Sequence, residues 1–131
     1  MSQENVEVVR VFFAAWNAGD MDAVRETHAA DVITRPPDGW PEAGPFVGRE
    51  VVMRQWEQMR ETWDADQVRL IGDIGQIGDR VAARLIWHGA GHGPEAKLEV
   101  TGVYRVRCGK ITRMDFFWDP DEALKAIGLD E

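Results

Sequence analysis

The run LEVTGVYRVRCGKITRMDFFWD, residues 98–119, constrains the fold of this chain more than any other stretch. Two segments rich in Val, Ile, Tyr, Phe and Trp flank Arg107, Cys108, Gly109 and Lys110, which is the pattern of a long antiparallel hairpin. Asp119, Pro120, Asp121 and Glu122 then open a short final helix that closes at Gly128. A hairpin of this length must be covered on at least one face, so the rest of the chain has to supply helices and further strands.

Those elements can be read in order. Val6, Val9, Phe12, Phe13 and Trp16 recur at helical spacing and predict a helix over about 3–18, with Ser2 as N-cap and Gly19 as C-cap. Asp20 caps a second, shorter helix whose inner face is Met21, Val24 and His28. Residues 31–34 allow a brief strand. The following loop, 35–45, holds four of the six prolines and is stiffened by them, as expected of a segment crossing a rim. Val52, Trp56, Met59 and Trp63 mark one face of a third helix over 49–63.

Strand patterns follow. The run 67–77 is interrupted by Gly72 and Gly75, which suggests bulges or strong curvature. Gly78 and Asp79 form a turn into 80–88, and 89–95 connect to the third run. The order is ααβα, then four antiparallel strands and a terminal helix. This predicts a single α+β domain over 1–131 with its helices on one face of a curved sheet.

Composition restricts the partners. The net charge is −8 and the 15 Lys and Arg are scattered, which argues against nucleic acid and against an anionic membrane. One cysteine, Cys108, cannot form an internal disulfide. The N-terminus lacks a signal-peptide pattern, and no apolar run is long enough to span a bilayer, so a cytoplasmic location is expected. His88 and His92 have the spacing of a metal pair, but four strand residues span roughly 13 Å and no Cys or acid pair accompanies them; no metal or cofactor is expected. Six tryptophans suit a lined pocket or a subunit interface.

Local motifs add a family resemblance. The segment 14–20 (AAWNAGD), Gly48-Arg49-Glu50, Gly109-Lys110-Ile111-Thr112 and Phe116-Phe117-Trp118-Asp119, taken in this order, resemble the nuclear transport factor 2-like superfamily. Within it the likeness is to SnoaL-like polyketide cyclases, ketosteroid isomerase and limonene-epoxide hydrolase. The resemblance implies a cone-shaped α+β barrel, with three helices from the N-terminal half packed on a strongly curved, mainly antiparallel sheet and a short C-terminal helix. It also implies one deep apolar pocket for a small apolar ligand and a homodimer through the outer sheet face.

Residue by residue, the family's acids do not carry over. Phe12 stands where ketosteroid isomerases place an oxyanion-donating tyrosine, Pro36 or Arg35 where they place the general base, and Gly102 where they place a protonated aspartate. Trp56 matches a further pocket tyrosine. Arg84 matches the arginine of limonene-epoxide hydrolase, whose two aspartates fall at Ile86 and Phe116.

Strand alternation then allows two pockets. On the alignment implied by the resemblance, Arg84, His88 and Tyr104 point inward as candidate catalytic groups: anion holder, proton-transfer group and oxyanion donor. Phe12, Trp16, Arg35, Trp40, Trp56, Met59, Gly102, Phe116 and Trp118 would line the ligand site. With the opposite parity, Val81, Ala83, Leu85 and Trp87 fill the interior and Arg84 and His88 face outward. Two functions follow: a cyclase, isomerase or hydrolase acting on a cyclic or polyketide-like compound, or a non-catalytic ligand-binding or dimerisation module.

Overall fold

A computed structural model describes residues 2–40, 44–62, 67–88 and 97–127. The order is α1 (Ser2–Ala18), α2 (Met21–Glu26), β1 (His28–Arg35), β2 (Phe46–Val47), α3 (Arg49–Thr62), β3 (Gln67–Ile77), β4 (Arg80–His88), β5 (Lys97–Arg107), β6 (Lys110–Phe117) and α4 (Pro120–Ile127). Ser2 lies inside α1 rather than capping it. The readings at Trp63, His92, Gly128 and the 89–95 connection fall outside the described residues.

Among the described residues, six strands form one curved, open sheet in the order β2-β1-β6-β5-β4-β3. Helices α1, α2 and α3 pack on its inner face, giving the cone-shaped α+β fold. The hairpin is formed as its sequence predicts: Thr101 pairs with Phe117, Tyr104 with Met114 and Arg107 with Lys110. At its tip both Cys108 (φ 52°) and Gly109 (φ 75°) are left-handed, the geometry that matches the strand twist in a two-residue turn. In β3 the register shifts between Ile71 and Gly75, where the glycines suggest a bulge.

Three features differ from the sequence reading. First, His28 is not on the face of the second helix. Asp20 caps α2 through its side chain to the Ala23 N–H, and the helix ends at Glu26. The chain then enters the sheet because Ile111 N–H bonds to the Thr27 carbonyl, and β1 runs parallel to β6. This non-local pairing gives β1 eight residues instead of four. Second, Phe46 and Val47 form a short edge strand against Ile33 and Thr34, which the proline-rich loop before them conceals. Third, α4 lies on the opposite face of the sheet, where Ala123 is buried on Ala82 and Val103. The helices therefore do not all share one face.

The main core lies between α1–α3 and the inner sheet face, with Val9, Phe12, Trp16, Leu85, Tyr104, Ile111 and Met114 all fully buried. Asn17, near the end of α1, holds the edge strand to this helix layer. Its Oδ1 accepts from the Val68 N–H (2.7 Å) and its Nδ2 donates to the Val68 carbonyl (2.9 Å), so the amide imitates one ladder step. Asn17→Ala is expected to cost about 1–3 kcal/mol of stability, the loss of two part-buried hydrogen bonds, measured by urea unfolding.

Candidate functional site

The β4–β5 register decides which groups can reach the interior. Directly opposed residues of an antiparallel pair share a face. Val81 pairs with Tyr104, Ala83 with Gly102, Leu85 with Val100 and Trp87 with Leu98. Tyr104 and Val100 are buried in the core, so Val81, Ala83, Leu85 and Trp87 are inward with them. Arg84 faces outward beside Thr101, and its Nη2 bonds to Glu99 Oε2 at 2.8 Å on the solvent side. His88 has the same parity and opposes Lys97. This corrects the inward reading of Arg84 and His88: once Val100, Gly102 and Tyr104 are inward, the register places both on the other face.

Apart from Gly102 and Tyr104, the other candidate residues divide into three groups. Trp40, Trp56, Met59 and Phe116 line one cavity of about 40 Å³ between the 36–40 loop, β2, α3 and the sheet. Phe12 and Trp16 lie behind it, fully buried against Trp56 at ring distances of 5.8 and 5.6 Å. Arg35 and Trp118 are outside the lining. Arg35 sits over the Phe117 ring and 3.8 Å from Asp115, on the outer face. Trp118 is exposed and donates its indole N–H to the Asp38 carbonyl at 2.7 Å, fixing the rim loop beside Trp40.

Thr34, Pro36, Pro37, Phe46 and Gln55, which the sequence reading did not assign to the ligand site, also line the cavity, together with Trp87 and Val100. Val100 and Trp87 follow from the register. Thr34 needs β1 to extend inward as far as it does. Its Oγ1 is buried and has no hydrogen-bond partner, so the wall carries one unanswered hydroxyl.

Tyr104 is fully buried under Phe12, Phe13 and Phe116, and burial pushes its phenol well above the usual range. Its hydroxyl has no partner and lies over Gly102, where a Cβ would come within 2.7 Å of it. Gly102 thus serves packing, leaving room for the phenol ring.

The most elaborate polar arrangement surrounds His28, which is fully buried. Trp56 Nε1–H can only donate, so His28 Nε2 accepts it, at 3.0 Å. The ring proton therefore resides on Nδ1, shared between the Val24 carbonyl (2.8 Å) and the Thr27 hydroxyl (3.0 Å). Burial, offset by the Val24 bond and reinforced by nearby Arg49, lowers the His28 pKa to about 4. Both nitrogens are engaged and the ring is neutral at physiological pH. It anchors Trp56 and has no free nitrogen for a ligand.

This gives a pH signature. The unfolded histidine protonates near pH 6.5 while the folded one resists to about 4, so stability is full above 6.5 and declines as pH falls toward 4. The decline from His28 is on the order of 3 kcal/mol. Urea unfolding at pH 7 and 4.5 should show a larger loss for wild type than for His28→Gln. The difference between the two proteins isolates this group from the carboxylates.

Among the described residues no group of three or more His, Cys, Asp or Glu is placed to hold a metal ion. The geometry is matched by solved structures that share little sequence. A proposed polyketide cyclase from Sinorhizobium meliloti is 22% identical with a TM-score of 0.69, over 84% of this chain and 93% of that one. TerC, co-crystallised with polyporic acid, is 21% identical with a TM-score of 0.70, over 95% and 98%. A de novo designed protein with a curved β-sheet is 22% identical with a TM-score of 0.70, over 97% of each chain. No curated protein matches the sequence. The model of the SnoaL-like domain, however, matches residues 9–114, most of the chain, and the protein belongs to that family.

Proposed function

We propose that this SnoaL-like chain binds a small, flat, apolar molecule carrying one hydroxyl or carbonyl, and that it holds this ligand rather than transforming it. The observation that carries the reading is the cavity wall: Trp40, Trp56, Trp87, Phe46 and Phe116 supply aromatic surface, and the buried Thr34 hydroxyl offers one unanswered polar contact. Apolar walls with sparse orienting groups are the usual composition of a small-molecule site. Co-crystallisation of TerC with polyporic acid supports the same use of the fold. Among the described residues no carboxylate lines the cavity, Arg84 is engaged with Glu99 outside, and His28 is neutral with both nitrogens occupied. The described wall therefore offers no group for general acid–base chemistry.

A cavity of about 40 Å³ is smaller than the roughly 150 Å³ that accommodates benzene. Ligand entry must displace a side chain, and Met59 is the most deformable one on the wall. A homodimer through the outer sheet face and a cytoplasmic location complete the proposal. The first is supported by the outward strip of Arg84, Ile86 and Glu99 that α4 leaves uncovered, the second by the net charge of −8 and the single cysteine. Sedimentation at micromolar concentration tests the dimer; a monomer at all concentrations overturns it.

Titration calorimetry with 2-naphthol and naphthalene tests the pocket. Thr34→Val should weaken 2-naphthol by about 2- to 10-fold and leave naphthalene unchanged. Met59→Ala should tighten both while lowering the stability of the free protein by about 2–4 kcal/mol. Absence of binding to wild type and to Met59→Ala would overturn the reading.

A further inference from the structure

Arginines on the outer face are arranged against their own electrostatics. Arg80 pairs across the strands with Arg105, and Arg105 with Arg113, so three guanidiniums occupy one row over β4, β5 and β6. Like charges directly opposite one another are destabilising in a sheet, and nothing in a hairpin register requires three of them. Among the described residues, the anions nearby do not balance the row. Arg113 holds Asp115 with two bonds, at 2.9 and 3.2 Å. Asp115 also lies 3.8 Å from Arg35. Asp79 is bonded to Arg107 at 3.1 Å and is 3.9 Å from Arg105. Arg80 is bonded to the neutral Ala126 carbonyl at 3.2 Å. Among the described residues four guanidiniums thus share two carboxylates and Arg80 meets only a carbonyl, in a protein whose net charge is −8.

The row borders a depression of about 140 Å³ beside the C-terminal end of α4, lined by Arg80, Val103, Arg105, Arg113, Asp115 and Ala126. Arg80 and Arg105 are opposed residues on adjacent strands, about 5 Å apart at the backbone, and both line it. Their planar N–H forks suit oxygens on one small acceptor. The α4 carbonyl that would repel an anion is answered by Arg80 Nη1.

We propose that this depression is a binding site for a small multivalent oxyanion, inorganic phosphate or a di- or tricarboxylate, held by Arg80 and Arg105 on the sheet face opposite the apolar cavity. Asp115 is bonded to Arg113 and Asp79 to Arg107, whereas Arg105 meets Asp79 only at 3.9 Å and Arg80 meets the neutral Ala126 carbonyl, which makes these two the ligand's main partners.

Thermal unfolding of the full chain tests this in low-salt buffer, titrated with sodium phosphate, sodium citrate or sodium chloride at matched ionic strength. Phosphate or citrate should raise the midpoint saturably beyond chloride; the two salts distinguish a tetrahedral anion from a carboxylate ligand. Arg80→Gln and Arg105→Gln should each weaken the response about tenfold. Without added anion, Arg105→Gln should melt no lower than wild type, because it relieves cross-strand repulsion. Equal rises in all three salts, or responses unchanged in both variants, would overturn the site. A lower midpoint for Arg105→Gln in anion-free buffer, with no loss of anion response, would assign the row a purely structural role.

Discussion

The hydrogen bond from Trp56 to His28 is the contact on which the inner face of this fold depends. An indole N–H buried in an aromatic core must find an acceptor, and here it is the unprotonated nitrogen of a histidine at the start of β1. The bond ties α3 to the sheet. It also fixes the ring that divides core from cavity. One side of Trp56 meets Phe12 and Trp16; it stacks on Trp87 at 5.8 Å and meets Phe116 edge-on at 6.1 Å. The wall of the cavity is therefore positioned by a polar contact outside it. His28 is held neutral so that it can accept, which explains why a titratable group is fully buried at the centre of an aromatic cluster.

Much of the fold is legible in the residues because local signals agree with it. The hairpin reads from β-branched and aromatic alternation, α1 and α3 from their apolar stripes, and the β3 bulge from its two glycines. Elements made by distant partners are harder to see. β1 is twice as long as its apolar run suggests, because it pairs in parallel with β6 from far along the chain, at His28–Ile111 and again at Ile33, Thr34 and Arg35. The side of the sheet taken by α4 depends on Ala82 and Val103, small and apolar residues whose pattern alone does not separate the two faces.

The site was less legible for a related reason. Period-two alternation gives two faces but does not say which is inside. For β4 the choice was between a set with Arg84 and His88 and a set with Val81, Leu85 and Trp87. Register resolves it: the face is shared with the opposed strand, and Tyr104 and Val100 on β5 are buried. Desolvation gives the same answer. Burying an unpaired guanidinium costs several kcal/mol, whereas Leu85 and Trp87 gain from burial. Arg84 faces water because its partner Glu99, opposed to Ile86, is there too.

The two faces of the sheet then carry opposite chemistry. Inside, the described cavity wall is almost wholly apolar, with Thr34 the buried hydroxyl left without a partner. Outside, charged residues cluster in rows set by strand register, and the arginines at 80, 105 and 113 concentrate positive charge in an acidic protein. A shared fold does not determine either arrangement. The designed curved-sheet protein and the proposed cyclase match this chain with similar TM-scores, so the frame is indifferent to what its faces carry. Function has to be read from side chains that the frame does not need. Trp56 and His28 are needed by the frame; the Thr34 hydroxyl and the arginine row are not, since the first is left unbonded and the second works against sheet stability. Groups that weaken a fold and yet are present are where a ligand can contribute most, because binding supplies the partner that folding left out.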